Sequence, residues 1–379
     1  MKRWTAGAGV AVLGFLWGAA ALAGEIAPRV TAKAGILVER GRNRVLWERA
    51  ADLPLPPAST TKVLTALVTL RYGDTDALLP VSRKAASAAP TKLYLRPGWQ
   101  VRTSDLLYAL LLTSANDAAE VLAEGVAGSV ERFAELMNRE ARKAGATRSH
   151  FVNPHGLPAP GHRATARDLV RILDEALKEP FFLEIAASKT GLVRPVRAGR
   201  RAFHLRNRNR LLYEKGPLVL GKTGWTRAAK KCFVGAAFLE DGRILLVSIL
   251  GSQDLWGDVK RLLAFGASVR FEAEPIVEVA AKADDPSELA EGDGTPESAI
   301  EGSTYTIEVA SFADLRRAER WRRTLRKSGL PVILRRVDRE GRRIYELHTE
   351  PIEGREEAER TARELRRYHG LRPIVRRKS

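Results

Sequence analysis

Sulfur is scarce in this chain, which has one cysteine, Cys232, and two methionines. A lone cysteine excludes an intramolecular disulfide, and nothing resembles the Cys/His spacing of a zinc site. No metal or other cofactor is therefore expected, and the fold must hold by packing. Acidic residues are also in short supply: 45 Asp and Glu stand against 63 Lys and Arg, a formal net charge of +18. Such a surface favours an anionic partner, which leaves nucleic acid, a membrane surface or an anionic wall polymer. The N-terminus narrows that list. Lys2-Arg3 precede an uncharged run, Trp4 to Ala23, that closes on Ala21-Leu22-Ala23, so residues 1–23 read as a cleaved signal peptide rather than a retained anchor, although the run is long enough to span a bilayer. Export disfavours nucleic acid.

The length of 379 residues allows one large domain and a smaller one. Gly35 to Arg40 and Arg44 to Glu48 read as a hairpin around Gly41-Arg42-Asn43. Ser104 is the expected N-cap of a helix from Asp105 to Leu112, which stops at Thr113-Ser114-Ala115-Asn116; further helices follow over 117–124 and 130–144. Thr165 and Asp168 resemble a capping box opening a helix over 166–177. The apolar runs Cys232 to Leu239 and Ile244 to Leu250 form a second hairpin, and a last helix runs from about Leu255 to Ala267. Strands at both ends with helices between imply one α+β unit over residues 24–271 whose terminal segments share a sheet. Ten acidic residues against Lys282 mark 272–302 as a solvated linker. From Ser303 a strand–helix–strand pattern occurs twice at an offset of about forty residues, which implies a four-stranded sheet backed by two helices.

Chemistry concentrates at Pro56-Pro57-Ala58-Ser59-Thr60-Thr61-Lys62, ahead of an apolar run. Residues three apart share one helix face, so the Lys62 amine can reach the Ser59 hydroxyl, a nucleophile beside a base. The spacing alone also fits a plain N-cap serine. Ser114-Ala115-Asn116 adds a hydroxyl and an amide at a helix break, and Lys222-Thr223-Gly224 adds a cation, a hydroxyl and a close-approaching backbone. Lys189-Thr190-Gly191 repeats the third motif, but lies between a helix and an Arg-rich segment with no following apolar strand. Lys222 is preferred because it adjoins the hairpin. His155 reads as a structural hydrogen-bonding residue and Cys232 as packing.

Ser-x-x-Lys, Ser-x-Asn and Lys-Thr-Gly in this order are the motifs of penicillin-binding proteins and class A β-lactamases. The stretch from about Val30 to Val269 resembles the low-molecular-mass penicillin-binding proteins, serine-type D-alanyl-D-alanine carboxypeptidases. Asn116-Asp117-Ala118-Ala119, Asn153-Pro154-His155-Gly156-Leu157 and Asn209-Arg210-Leu211-Leu212 add to the match. The resemblance implies the penicillin-binding/serine β-lactamase-like transpeptidase fold, an antiparallel sheet plus a helical region. It implies Ser59 as acylated nucleophile, Lys62 as its base and Ser114 as proton relay. Asn116 would hold the substrate amide, Lys222 and Thr223 the terminal carboxylate, and Gly224 would let the backbone close in. The N–H groups of Ser59 and Trp225 would form the oxyanion hole. Peptidoglycan stem peptides are the implied substrate and β-lactams the implied inhibitors.

Residues Tyr305 to Val375 resemble a SPOR domain, a small βαββαβ module that binds denuded peptidoglycan glycan strands, with Glu308, Ser311 and Phe312 as candidate glycan contacts. Here Glu308 stands where the family usually has Gln, and Ala310 where it has Gly. No C-terminal amphipathic anchor is apparent. The expected protein is thus exported, periplasmic and held to the wall by its tail. A D,D-endopeptidase, a β-lactamase and an idle glycan-binding scaffold are the competing readings.

Overall fold

The computed structural model describes residues 27–197, 201–269 and 304–377, apart from 313–314, 328–331, 340–341 and 370–373. The proposed signal peptide and the acidic segment 272–302 lie outside the described residues.

In the larger domain β1 (Ala34–Glu39) and β2 (Arg44–Arg49) form the expected hairpin. A 3-10 turn, Ala58–Thr61, leads directly into α1 (Lys62–Tyr72). Then come β3 (Leu78–Pro80), α2 (Arg83–Ala86), β4 (Gln100–Arg102) and α3 (Thr103–Tyr108). A single π-helical turn, Ala109–Thr113, separates α3 from α4 (Asn116–Ala127) and α5 (Val130–Lys143). The chain continues through α6 (Ala166–Ala176), α7 (Pro180–Ala187), β5 (Thr190–Val193) and β6 (Phe203–Arg206). It closes with β7 (Leu218–Thr226), β8 (Lys230–Phe238), β9 (Ile244–Ser252) and α8 (Leu255–Ser268).

The main sheet runs β2-β1-β9-β8-β7, all antiparallel, so the two ends of the domain do share one sheet. Every residue of β9 is buried, which explains why it reads as an unbroken apolar run instead of an alternating one. Leu245, Val247 and Ile249 pack with Leu255, Val259 and Leu262 of α8, whereas Leu246 and Leu250 join the large core under α1, α4 and α6. Truncating any of these leucines to alanine costs about 2–5 kcal/mol.

Three local expectations need correction. The helix expected behind Ser104 begins at Thr103, with no side-chain cap, because the β4 backbone turns directly into it. The hydroxyl of Thr165 does accept from Asp168 N at 3.1 Å, but the Asp168 carboxylate turns to Arg148 N and Ser149 Oγ, and Ser149 Oγ takes the Thr165 N–H instead. The Lys189 copy of the third motif does enter a strand, β5, but one that pairs only with β6 in a separate two-stranded ribbon.

The smaller domain comprises β10 (Thr304–Phe312), α9 (Leu315–Lys327), β11 (Val332–Arg339), β12 (Arg342–Thr349), the short β13 (Ile352–Glu353), α10 (Arg355–His369) and β14 (Ile374–Arg377). Strand β10 lies between β12 and β14, with β11 beyond β12, as the doubled pattern implies. Ile307, Val309 and Leu347 pack against Trp321 and Leu325 of α9 and Ala362 and Leu365 of α10, so both helices cover one face. Among the described residues no helix is long and apolar enough to cross a membrane.

Candidate active site

Ser59 is not an N-cap. It sits inside the 3-10 turn, which the Thr60 hydroxyl closes by donating to Pro57 O at 2.7 Å, and no side chain caps α1. Ala58 turns the chain sharply with φ of +49°, a conformation that costs a non-glycine residue about 1–2 kcal/mol. Gly156 passes so close that a Cβ there would stand 1.8 Å from Ala58 O. Only glycine, at φ of +84°, fits this crossing.

Lys62 is fully buried and its Nζ has three partners: Ser59 Oγ at 3.1 Å, Asn116 Oδ1 at 2.7 Å and His155 O at 2.7 Å. Burial, then the charges of Lys222 and Arg208, push the amine well below its ordinary range, while Asp117 opposes them. In its neutral form the amine has two N–H bonds and one lone pair; with the N–H groups given to the two carbonyl-type oxygens, that form leaves its lone pair for the Ser59 hydroxyl.

The elements holding this triangle come from distant parts of the chain. Asn116 opens α4, and its Nδ2 donates to Ala89 O at 2.8 Å. The His155 carbonyl is aimed by its own ring: Nδ1 accepts from Leu157 N at 3.1 Å, so Nε2 carries the proton, 3.0 Å from Glu120 Oε1. Burial lowers the His155 pKa, against the pull of Glu120. Thr65 Oγ1 donates to Pro154 O at 2.6 Å, fixing the same turn to α1.

Lys222 is buried on β7, where its Nζ donates to Thr223 O at 2.9 Å. Burial, then Arg208, bring its pKa down to about 7. Gly224 lies against the turn that holds Ser59; a Cβ would stand 2.9 Å from Ser59 N and 3.1 Å from Pro57 O. Trp225 follows it, 63% exposed. Ser114 is buried in the left-handed conformation between the π-turn and α4, and its hydroxyl makes no hydrogen bond among the described residues. Lys189, by contrast, rests over the Tyr213 ring. Cys232 is buried with its thiol pushed up to about 11 by burial, which keeps it unreactive.

Arg208 is the residue that motif reading missed. It acts electrostatically on both lysines and donates to Thr91 Oγ1 at 3.3 Å, yet it precedes the quoted Asn209-Arg210-Leu211-Leu212 by one position. The run of alternating Asn and Arg over 207–210 was its only signal.

In the smaller domain Glu308 and Ser311 face away from the helices, opposite His348 and Glu346. Glu308 is paired with Arg376 at 3.0 Å. Phe312 separates from them: its ring packs 6.2 Å from that of Trp321 on the helix side.

Comparison with known proteins identifies the family of each domain. The family model described as D-alanyl-D-alanine carboxypeptidase, Peptidase S11, matches residues 22–253, and the SPOR domain model matches 301–377. D-alanyl-D-alanine carboxypeptidase DacF of Bacillus subtilis is 30% identical over 253 residues, covering 65% of this chain and 64% of the relative. A D-alanyl-D-alanine endopeptidase of Escherichia coli is 29% identical over 245 residues, 62% and 77% of the two chains. The crystal structure of a D-alanyl-D-alanine carboxypeptidase from Mycobacterium tuberculosis superposes with a TM-score of 0.61 at 32% identity, covering 66% of this chain and 96% of that one. The fold is thus the α+β one of the penicillin-binding transpeptidases, and the chain belongs to the Peptidase S11 family of serine-type D-alanyl-D-alanine carboxypeptidases, with a SPOR domain following the catalytic one.

Proposed function

We propose that the protein is an exported D,D-carboxypeptidase that removes the terminal D-alanine of peptidoglycan stem pentapeptides through an acyl-enzyme on Ser59. The observation that carries this reading is the 3.1 Å contact between Lys62 Nζ and Ser59 Oγ, made by an amine whose two other partners are carbonyl-type oxygens. Ser59 Oγ attacks the carbonyl carbon of the penultimate D-alanine while its proton passes to Lys62 Nζ. The negative charge that develops on the carbonyl oxygen falls to the N–H groups of Ser59 and Trp225. Collapse of the tetrahedral species breaks the C–N bond, and Ser114 relays the proton from Lys62 to the leaving nitrogen. Water then hydrolyses the ester and restores Ser59. Asn116 holds the substrate amide, and Lys222 with Thr223 binds the free carboxylate that distinguishes an uncrosslinked stem. β-Lactams acylate the same serine.

Incubating wild-type and Ser59→Ala protein with a pentapeptide and with crosslinked muropeptides, and weighing the products, tests this. D-alanine release by the wild type alone is expected, and its absence would sink the reading. Cleavage of crosslinks with no carboxypeptidase product would favour the endopeptidase reading, which the similarity to the Escherichia coli endopeptidase keeps open. The SPOR domain tethers the enzyme to denuded glycan, in keeping with a domain family that binds peptidoglycan. The Ser59→Ala chain is expected to sediment with amidase-treated sacculi; equal recovery in the supernatant would remove the tether.

A further inference from the structure

The segment between α2 and β4 runs past Asn116 with its alternate residues tied to the first turn of α4. Ala89 O accepts from Asn116 Nδ2 at 2.8 Å, and Thr91 O from Asn116 N at 2.7 Å. Leu93 N donates to one Asp117 oxygen at 3.0 Å and Leu95 N to the other at 3.1 Å. The side chains of Leu93 and Leu95 are buried in the core, whereas Tyr94 between them is exposed beneath the Lys92 ammonium. Asp117 is itself fully buried and takes the Ala118 N–H as well, at 2.9 Å. Among the described residues no cation is paired with it, so this carboxylate is satisfied by backbone alone.

We infer that Asp117 is a positioning residue for the acylation proposed above: its carboxylate latches residues 89–95 onto α4, and the latched Ala89 carbonyl fixes which end of the Asn116 amide faces Lys62. Leu93 N and Leu95 N donate to different oxygens of the group, which a carboxylate offers and a carboxamide, with its one oxygen and an NH2, does not. With Ala89 O in place, Asn116 Nδ2 is committed to it and Oδ1 is left for the lysine. Without the latch the amide is free to flip and would turn an N–H donor toward Lys62. The charge of Asp117 serves the same amine, opposing Lys222 and Arg208, with the Glu120–His155 pair on the remaining side.

The test combines local hydrogen exchange with pH profiles of kcat/KM for D-alanine release. In the wild type the Leu93 and Leu95 amides are expected among the slowly exchanging ones. Asp117→Asn, which loses the charge and one acceptor, is expected to speed exchange across 89–95 about tenfold or more while α1 and α5 keep their protection. It should also lower kcat/KM by roughly tenfold to a hundredfold and move the acid limb to lower pH by about half a unit or more, because Lys62 loses its one opposing charge. Asp117→Glu keeps the charge and displaces the carboxylate, so it should reproduce the exchange and rate effects with the limb at its wild-type pH. Fast exchange at Leu93 and Leu95 in the wild type overturns the latch whatever the variants do. Wild-type kcat/KM and an unmoved acid limb in Asp117→Asn overturn the positioning role. The latch rests on the reading of Ser59, but the wild-type exchange pattern judges it even if no D-alanine is released.

Discussion

Lys62 and Lys222 carry the same side chain into one buried site and are asked for opposite protonation states. In the proposed reaction Lys62 needs a lone pair, which burial and two neighbouring cations favour. Lys222 there needs a proton to hold a carboxylate, yet burial and Arg208 bring it down to about 7. The free enzyme is therefore expected to give a bell-shaped kcat/KM profile. Activity rises with pH as Lys62 deprotonates and falls above about pH 7 as Lys222 loses its charge. In Lys222→Arg the guanidinium stays charged, so the basic limb should vanish even where the poorer fit lowers the plateau. A wild-type profile flat from pH 7 to 9 would show that Lys222 is not the group that titrates. The two lysines and Ser59 were legible as motifs because their spacing or their adjoining residues are local. Arg208, the His155 carbonyl and the Asp117 carboxylate were not, since they act on partners tens of residues away that only the fold brings near.

At the scale of elements, the site depends on how closely β7 can lie against the turn that holds Ser59, and glycines set that distance. Gly221 faces Gly235 across β7 and β8, and the Phe233 ring lies over both. A Cβ at Gly235 would stand 2.4 Å from Leu220 O and 2.5 Å from the Phe233 ring. The backbone oxygen cannot swing aside as a side chain could. Gly235→Ala is expected to pry β7 from β8 and cost about 2–3 kcal/mol, lowering the urea midpoint and acylation by a β-lactam together. An unchanged midpoint would mean that the sheet absorbs the methyl. The hairpin and the shared sheet were readable from apolar runs, but this glycine pair was not, because its meaning lies in the register. The bulge between Glu308 and Ala310 was hidden for the same reason. It resets the alternation so that Ser311 shares a face with Glu308 and Phe312 does not, which simple counting along the strand could not foresee. The π-turn before Ser114 likewise follows from packing, since Ala109–Thr113 reads locally as ordinary helix.

The whole molecule has three hydrophobic clusters, and their membership divides it. Two meet across the main sheet of the catalytic domain, while the third draws only on residues from Ile307 onward. No buried apolar residue is common to the first two and the third. Cooperativity follows shared burial, so the two domains are expected to unfold in separate calorimetric transitions. Acylation discriminates between them. Saturating the protein with a β-lactam should raise only the transition of the catalytic domain, by roughly 2–8 °C, the shift that one or two kcal/mol produces in a domain of this size. The SPOR transition should stay where it was, and Ser59→Ala should abolish the shift. A single transition that moves as a whole would mean that the domains stabilise one another through contacts outside these cores. The two-domain division was legible from the acidic segment, whose ten acidic residues against one lysine separate two basic stretches, one with 39 basic and 23 acidic residues and one with 21 and 12. That excess of +9 over the last 77 residues, against +16 over residues 24–271, gives the SPOR domain the higher charge per residue, so any attachment it makes to anionic wall material is expected to be salt-sensitive. Raising the salt should therefore weaken sedimentation with sacculi while leaving D-alanine release from a soluble pentapeptide nearly unchanged, and an equal loss of both would place the charge effect in the catalytic cleft instead.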